Sequence, residues 1–277
     1  MESPHIQETI CHLDILQEWL TTHTSIMERW ESKKYFGFSA MMQSTHYSTT
    51  LAKILSISMP IQGSETTGLF SCTGLQKLDN LVNRVKSQAL EFLNQVLRYI
   101  FEKVTSKVKV TSPFLPRCIQ FCPYLIKSLL SVAARPDIET IIQEEVYSEI
   151  IVEAIETVVL FAGEPEFQDE LIKTFRPLIV GVGLNLMRTS KSEMTEMLED
   201  PDAFVNLALD TCDKQKSRVI KTQGARLVET LCDNVDGAVS FLTLFSCQSI
   251  ALAFDPQSGA IASISAVQEN FYPGEYF

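Results

Sequence analysis

Apolar residues recur at helical spacing along most of this chain, and short polar or proline-bearing breaks separate the runs. Ile10, Leu13, Leu16, Trp19 and Leu20 predict a first helix that ends in the Thr-Thr-His-Thr run at 21–24, with a second helix starting near Ser25. Ser58 to Gly74 holds a proline, three glycines and many hydroxyls, which predicts a long loop. A long helix then runs from Leu75 to about Val108, its stripe formed by Leu78, Leu81, Val82, Val85, Ala89, Phe92, Leu93, Val96, Ile100 and Val104. Lys77, Arg84, Lys86, Arg98, Lys103 and Lys107 give that helix a basic cast. Pro113 and Pro116 close it and open the next, because proline fits a first turn and disrupts an interior. This next helix reaches Ala133 and is expected to bend at Pro123.

Asp137 is placed to cap a helix running to Ala162, with Ile138, Ile141, Ile142, Val146, Ile150, Ala154, Ile155 and Val158 inward and Gly163 as its stop. Pro165 opens a segment to Met187 that contains Pro177, Gly181 and Gly183; a kink held by neighbouring helices is expected at Pro177. Lys214 to Cys232 forms a further helix. Ala238 to Phe254 carries no charge and reads as a largely buried helix with a narrow polar stripe of Ser240, Thr243, Ser246 and Ser249. Its 17 uncharged residues fall short of the roughly 20 that span a bilayer, so no membrane insertion is expected. The remainder, ending FYPGEYF, is weakly helical.

Helix following turn, with no competing β-branched alternation, predicts an all-α fold. Helix pairs of about 40–47 residues lie in the HEAT and armadillo range. The expected architecture is a HEAT-repeat α-solenoid of five to six antiparallel pairs in a right-handed superhelical stack. Residues 1–74 form an amino-terminal helical segment with its polar loop; residues 75–277 form HEAT-like pairs with an acidic insertion at 190–213.

Charge sharpens this picture. Residues 1–136 carry 14 Lys/Arg against 10 Asp/Glu, whereas residues 137–277 carry 9 against 24. Phosphates would be repelled by the second half, so nucleic acid is not an expected partner and a basic protein surface is. The seven cysteines show neither regular pairing nor metal spacing, and the first residues lack the apolar core of a signal peptide, which together predict reduced thiols in cytosol or nucleus.

Motifs for chemistry are sparse. Gly181-Val182-Gly183 lacks the third glycine of a dinucleotide fingerprint and follows a helical pattern, not a strand. No P-loop, GxSxG or HExxH sequence occurs. Cys118 and Cys122 stand one helical turn apart, yet all four histidines (His5, His12, His23, His46) lie far away in sequence, so the two thiols read as small apolar residues in a buried seam. Cys11 and His12 point to different helix faces and do not form a thiol–imidazole dyad. The acidic stretch lacks the alternating ligands and central glycine of a calcium loop. No catalytic residue, no cofactor and no metal is expected.

Three stretches, in order, resemble the importin-beta superfamily of nuclear transport receptors, above all the branch with the importin-alpha-recycling exportin and related large importins. Phe167 to Met187 (FQDELIKTFRPLIVGVGLNLM) looks like a family helix with an internal proline. Glu193 to Leu207 (EMTEMLEDPDAFVNL) is similar to an acidic family element matched at Glu199, Asp200, Pro201, Phe204 and Val205. Arg218 to Cys232 (RVIKTQGARLVETLC) resembles an arginine-started inner helix, matched at Ala225, Leu227, Val228, Leu231 and Cys232. The likeness covers residues 78–254, about a quarter of a family solenoid of about twenty repeats; residues 1–70 show no likeness to the Ran-binding repeats. It implies a non-enzymatic protein of cytoplasm and nucleus that engages cargo proteins or the Ran GTPase through a curved helical surface. Glu193, Glu196, Glu199, Asp200, Asp202 and Arg218 are the expected protein-binding residues. An excised run of repeats would also expose apolar ends and self-associate.

Overall fold

The computed structural model describes residues 11–15, 17–22, 76–103, 115–135, 138–142, 145–188, 195, 198–199 and 216–253. Among them every regular element is helical and no strand occurs. The helices are α1 (Gln76–Lys103), α2 (Leu115–Ala133), the single turn α3 (Ile138–Ile141), α4 (Glu145–Ala162), α5 (Gln168–Pro177), α6 (Lys216–Asn234) and α7 (Ala238–Ala253). The helix expected to run unbroken from Asp137 to Ala162 is therefore two, α3 and α4. The loop expected over 58–74, the helix expected from Ser25 and the aromatic tail lie outside the described residues.

α4 is the centre of the packing. It packs against both α1 and α6, α2 packs on α4 and α5, and α7 packs on α5 and α6. Composition explains this position: α4 buries Ile150, Ile151, Ala154, Ile155, Val158 and Phe161 at no solvent exposure, and its apolar residues occupy more than one side. A helix apolar around most of its circumference is stable only with neighbours on several faces. The apolar stripe read along α1 is buried as expected at Val85, Ala89, Phe92, Leu93, Val96 and Ile100. Trp19, from the helical residues 17–22, meets Phe92 edge-on at 6.0 Å, and Leu20 beside it is fully buried.

Side chains close the helix ends. The last carbonyls of an α-helix have no partner within the helix. Gln168 Nε2 donates to the Ala162 carbonyl at 2.9 Å, and Asn185 Nδ2 donates to the Ala133 carbonyl at 2.7 Å. Between α4 and α5 the chain turns through Gly163 and Glu164 into a short 3-10 turn, Pro165–Phe167. The buried Phe167 ring stacks on Phe161 at 4.1 Å and meets Phe101 of α1 edge-on at 6.3 Å, so one aromatic ring fixes the turn to both helices.

Pro177 is accommodated without a break in the helical path. The helix passes through it and widens into a π-helical segment, Leu178–Leu184, then closes in a last turn, Asn185–Met187. Proline supplies no N–H and crowds the preceding turn, and wider winding is one way to absorb that loss. The segment packs on α6 at a close crossing: a Cβ at Gly224 would lie 2.9 Å from the Gly183 carbonyl oxygen, and one at Gly183 would lie 2.4 Å from Val228 Cγ2. Glycine at both positions lets the backbones meet.

The last helix departs from its expected character. Ser240, Thr243 and Ser246 are exposed, as a polar stripe should be, but Val239, Leu244 and Ile250 are also 57–59% exposed. Only the side of α7 bearing Ala238, Phe241 and Phe245 is buried, because α5 and α6 cover that side. Arg176 lies over the Phe175 and Phe241 rings at 5.7 and 5.6 Å, and the two rings meet edge-on, which anchors α7 to α5. α7 is thus half-buried, not largely buried. No described helix is long and apolar enough to cross a membrane.

Candidate functional site

Helical spacing places Glu91, Asn94, Gln95 and Arg98 on one face of α1, Glu153, Glu156 and Thr157 on one face of α4, and Gln223 and Arg226 on one face of α6. Because α4 lies between the other two, these faces converge. They line a cleft of ≈ 350 Å³, with Val152 as the one aliphatic residue in its described lining.

Glu156 is the centre of the cleft's charge. Its carboxylate receives Arg98 Nη2 on Oε1 at 2.6 Å and Arg226 Nη1 on Oε2. The glutamate side chain is only 6% exposed, whereas the two arginines are 45% and 44% exposed. α1 and α6 are thus joined through a carboxylate on the helix between them. Charged hydrogen bonds of this kind are among the stronger ones, but burying the carboxylate offsets much of the gain.

A second set of bonds locks α1 to α4. Asn94, 2% exposed, donates from Nδ2 to the Glu153 carbonyl at 2.9 Å and to Glu153 Oε2 at 2.8 Å. Its Oδ1 accepts from the fully buried Thr157 hydroxyl at 2.6 Å. Glu153 has its carboxyl held above the ordinary 4.5, first by burial; Glu91 and Glu156 push the same way, while the Asn94 hydrogen bond and Arg98 oppose them. The Oε1 atoms of Gln95 and Gln223 are buried and accept no hydrogen bond from the protein. What the described lining offers is charge and hydrogen-bonding capacity, with acceptors left over.

The residues expected to bind proteins lie elsewhere. Glu193, Glu196, Asp200 and Asp202 fall outside the described residues. Glu199 is helical, exposed and not part of the cleft lining. Arg218 lies in the first turn of α6, on the helix that carries Gln223 and Arg226. The sequence signals that point to the cleft are the polar run Glu91, Asn94, Gln95, Arg98 at i, i+3, i+4, i+7 and the glutamates Glu153 and Glu156 within an otherwise apolar helix. Read singly, these residues pass for solvated positions.

The thiols behave as the spacing suggested. Cys118 and Cys122 are buried in α2 with no disulfide. Burial pushes both upward, Cys122 to about 12, with like-charge contributions from Cys122 on Cys118 and from Glu170 on Cys122. Cys11 and His12 are both exposed. No group of three or more His, Cys, Asp or Glu side chains among the described residues is arranged to hold a metal ion. Gly181 and Gly183 belong to the π-helical segment rather than to a strand-to-helix turn. In comparisons with known proteins, no family model, no curated protein and no solved structure matches the chain.

Proposed function

We propose that this chain is a protein-binding segment made of stacked HEAT-type helix pairs, and that the α1–α4–α6 face is its contact surface. What supports the reading is the packing order of the helices: α4 packs on both α1 and α6, α2 packs on α4 and α5, and α7 packs on α5 and α6. Successive pairs of a HEAT stack place one helix of each pair in an inner row and the other in an outer row. The inner row presents its outward side chains to a partner, and here the cleft-lining side chains that reach solvent are Glu91, Gln95, Arg98, Glu153, Gln223 and Arg226. Inner helices of a purely structural stack need no polar cleft with buried acceptors, so the polar character of this face favours binding.

The sequence resemblance adds a partner class: cargo proteins or the Ran GTPase, in cytoplasm and nucleus. On that reading the acidic stretch Glu193 to Asp202 and the start of α6 at Arg218 extend the contact surface beyond the cleft. The test is capture of partners from cell extract by the full chain, with and without Ran locked in its GTP form, beside the variant Glu91→Lys/Gln223→Lys. Partners lost with the variant and released or recruited by Ran–GTP support both parts of the reading. Partners lost with the variant but indifferent to Ran–GTP leave a HEAT scaffold and remove the transport role. Partners retained by the variant overturn the assignment of the face.

A further inference from the structure

We infer that α7 is a contact between two copies of this chain: its solvent-facing side packs antiparallel against the same side of a second α7, around a twofold axis passing close to Cys247. The inference goes beyond the cleft and does not rest on the partner class proposed above.

α7 keeps one side for its own chain and turns another to water. Ala238, Phe241 and Phe245 are buried, whereas Val239, Leu244 and Ile250 are 57%, 59% and 58% exposed. At helical spacing Val239 and Ile250 stand on one flank of the open side and Leu244 on the other. Ser240, Thr243 and Cys247 lie between the flanks, and all three are exposed. Small side chains at the centre let a second helix come close, and the larger apolar ones then pack along both of its sides.

Charge selects the occupant. The chain carries a net charge of −11, yet Ala238 to Phe254 contains no Asp, Glu, Lys or Arg. Among the described α-helices of more than one turn, α7 alone carries no charged side chain. Copies of so acidic a chain repel one another over most of their surface. The open side of α7 is where two of them meet without opposing charges. It offers a charged partner no ion pair, and it suits a face as uncharged as itself.

Orientation and register follow. Asp233, in the last turn of α6, and Asp236, just before α7, are both exposed. An antiparallel pair sets these acidic turns at opposite ends, roughly 30 Å apart and well beyond the screening length; a parallel pair would bring them together. In a twofold contact the residue at the middle of the shared face meets its own copy. Cys247 sits at the middle of the exposed arc and near the midpoint of the helix. Leu244 and Ile250, each three residues from Cys247, then come level with one another across the contact. One short helix face makes a small interface, so the dimer is weak and forms as concentration rises. Each dimer carries two α1–α4–α6 faces, which adds avidity for a partner that repeats its binding element.

The experiment uses the full chain. Sedimentation equilibrium should give a mass that rises from 31.2 kDa in dilute solution toward twice that value. Over the same range, maleimide labelling of Cys247 should slow in proportion to the fraction dimerised, while the exposed Cys11 keeps its rate. Diamide, which takes two electrons and two protons from a pair of thiols, should trap a covalent dimer whose peptide map joins Cys247 to Cys247. Leu244→Glu sets a like charge from each copy into the contact and should weaken the dimer at least about a hundredfold. The same variant should leave the Tm of dilute protein unchanged, because the native side chain is mostly exposed. Ile119→Glu, at an exposed apolar residue of α2, should leave the dimer intact. A mass of 31.2 kDa at every concentration overturns the inference, and slow labelling of Cys247 in that monomer assigns the face to a segment of its own chain. A dimer that survives Leu244→Glu, that is weakened equally by Ile119→Glu, or that diamide joins only through other cysteines overturns it as well.

Discussion

Replacing Gly224 by alanine tests whether the close crossing between α6 and the π-helical segment sets the spacing of these two elements. Two effects oppose each other. In a helix interior alanine is favoured over glycine by about 1 kcal/mol. Against this, the new Cβ would stand 2.9 Å from the Gly183 carbonyl oxygen, 3.3 Å from Met187 Cγ and 3.5 Å from Leu186 Cβ. The nearest atom is backbone, so no rotamer change relieves the contact and the two helices must separate. Overpacking of this kind typically costs about 1–3 kcal/mol, and with backbone as the obstacle the upper end applies. The net expectation is a loss of about 2 kcal/mol, or about 4–8 °C in Tm for a chain of this size. Gly181→Ala is the internal control: it lies in the same segment and meets only Leu130 Cδ2, a flexible side-chain end, at 3.3 Å. It should be neutral or slightly stabilising. Gly183→Ala would clash with Val228 Cγ2 at 2.4 Å, and the double variant with Val228→Ala should recover part of its loss. Urea unfolding followed by circular dichroism gives all four values. A Gly224→Ala variant as stable as Gly181→Ala would show that α6 and the π-helical segment separate freely and refute the reasoning.

Three further outcomes follow from the site and its surroundings. Glu153 has a folded-state pKa above its unfolded value, so its contribution is most favourable below the ordinary 4.5 and is lost as pH rises through the raised value. The stability advantage of Glu153→Gln over wild type should accordingly grow from pH 4 to pH 7 in thermal melts, and a gap that does not change with pH would contradict the assignment. Arg98→Ala and Arg226→Ala should each destabilise by about 1 kcal/mol, since both guanidiniums are nearly half exposed. The double variant should lose more than the sum, because Glu156 is then buried without a counter-ion; strict additivity in a double-mutant cycle would argue against a shared carboxylate. Native-state labelling with a thiol reagent, read by peptide mapping, should modify the exposed Cys11 and Cys247 first and the buried Cys118 and Cys122 only on unfolding.

Much of the fold was legible in the sequence because burial and period coincide. The stripe of α1 from Val85 to Ile100 and the inward isoleucines of α4 are apolar at 3.6-residue spacing, and each is buried. Periodicity reports which side of a helix is covered but not how many neighbours cover it. α7 illustrates this limit: apolar but for a narrow polar stripe, it reads as largely buried, yet among the described residues its neighbours cover one side alone. Proline at 177 announced a disturbance without its form, since a kink and a π-helical widening both accommodate a missing N–H. The cleft stayed hidden for a different reason. Glu156 meets Arg98 across 58 residues and Arg226 across 70. A contact of that range follows from which helices become neighbours, which local pattern does not encode.

The carboxylate of Glu156 also has a mechanical consequence. α1 and α6 are separated by α4, so sliding or splaying of these helices stretches two ionic links that share one anchor. The anchor is shielded while both arginines reach water, which makes the restraint elastic and open to screening. Raising ionic strength weakens the links without touching the apolar packing below them. The stiffness of the α1–α4–α6 packing is then set in part by the surrounding electrolyte, greater in dilute buffer than in concentrated salt.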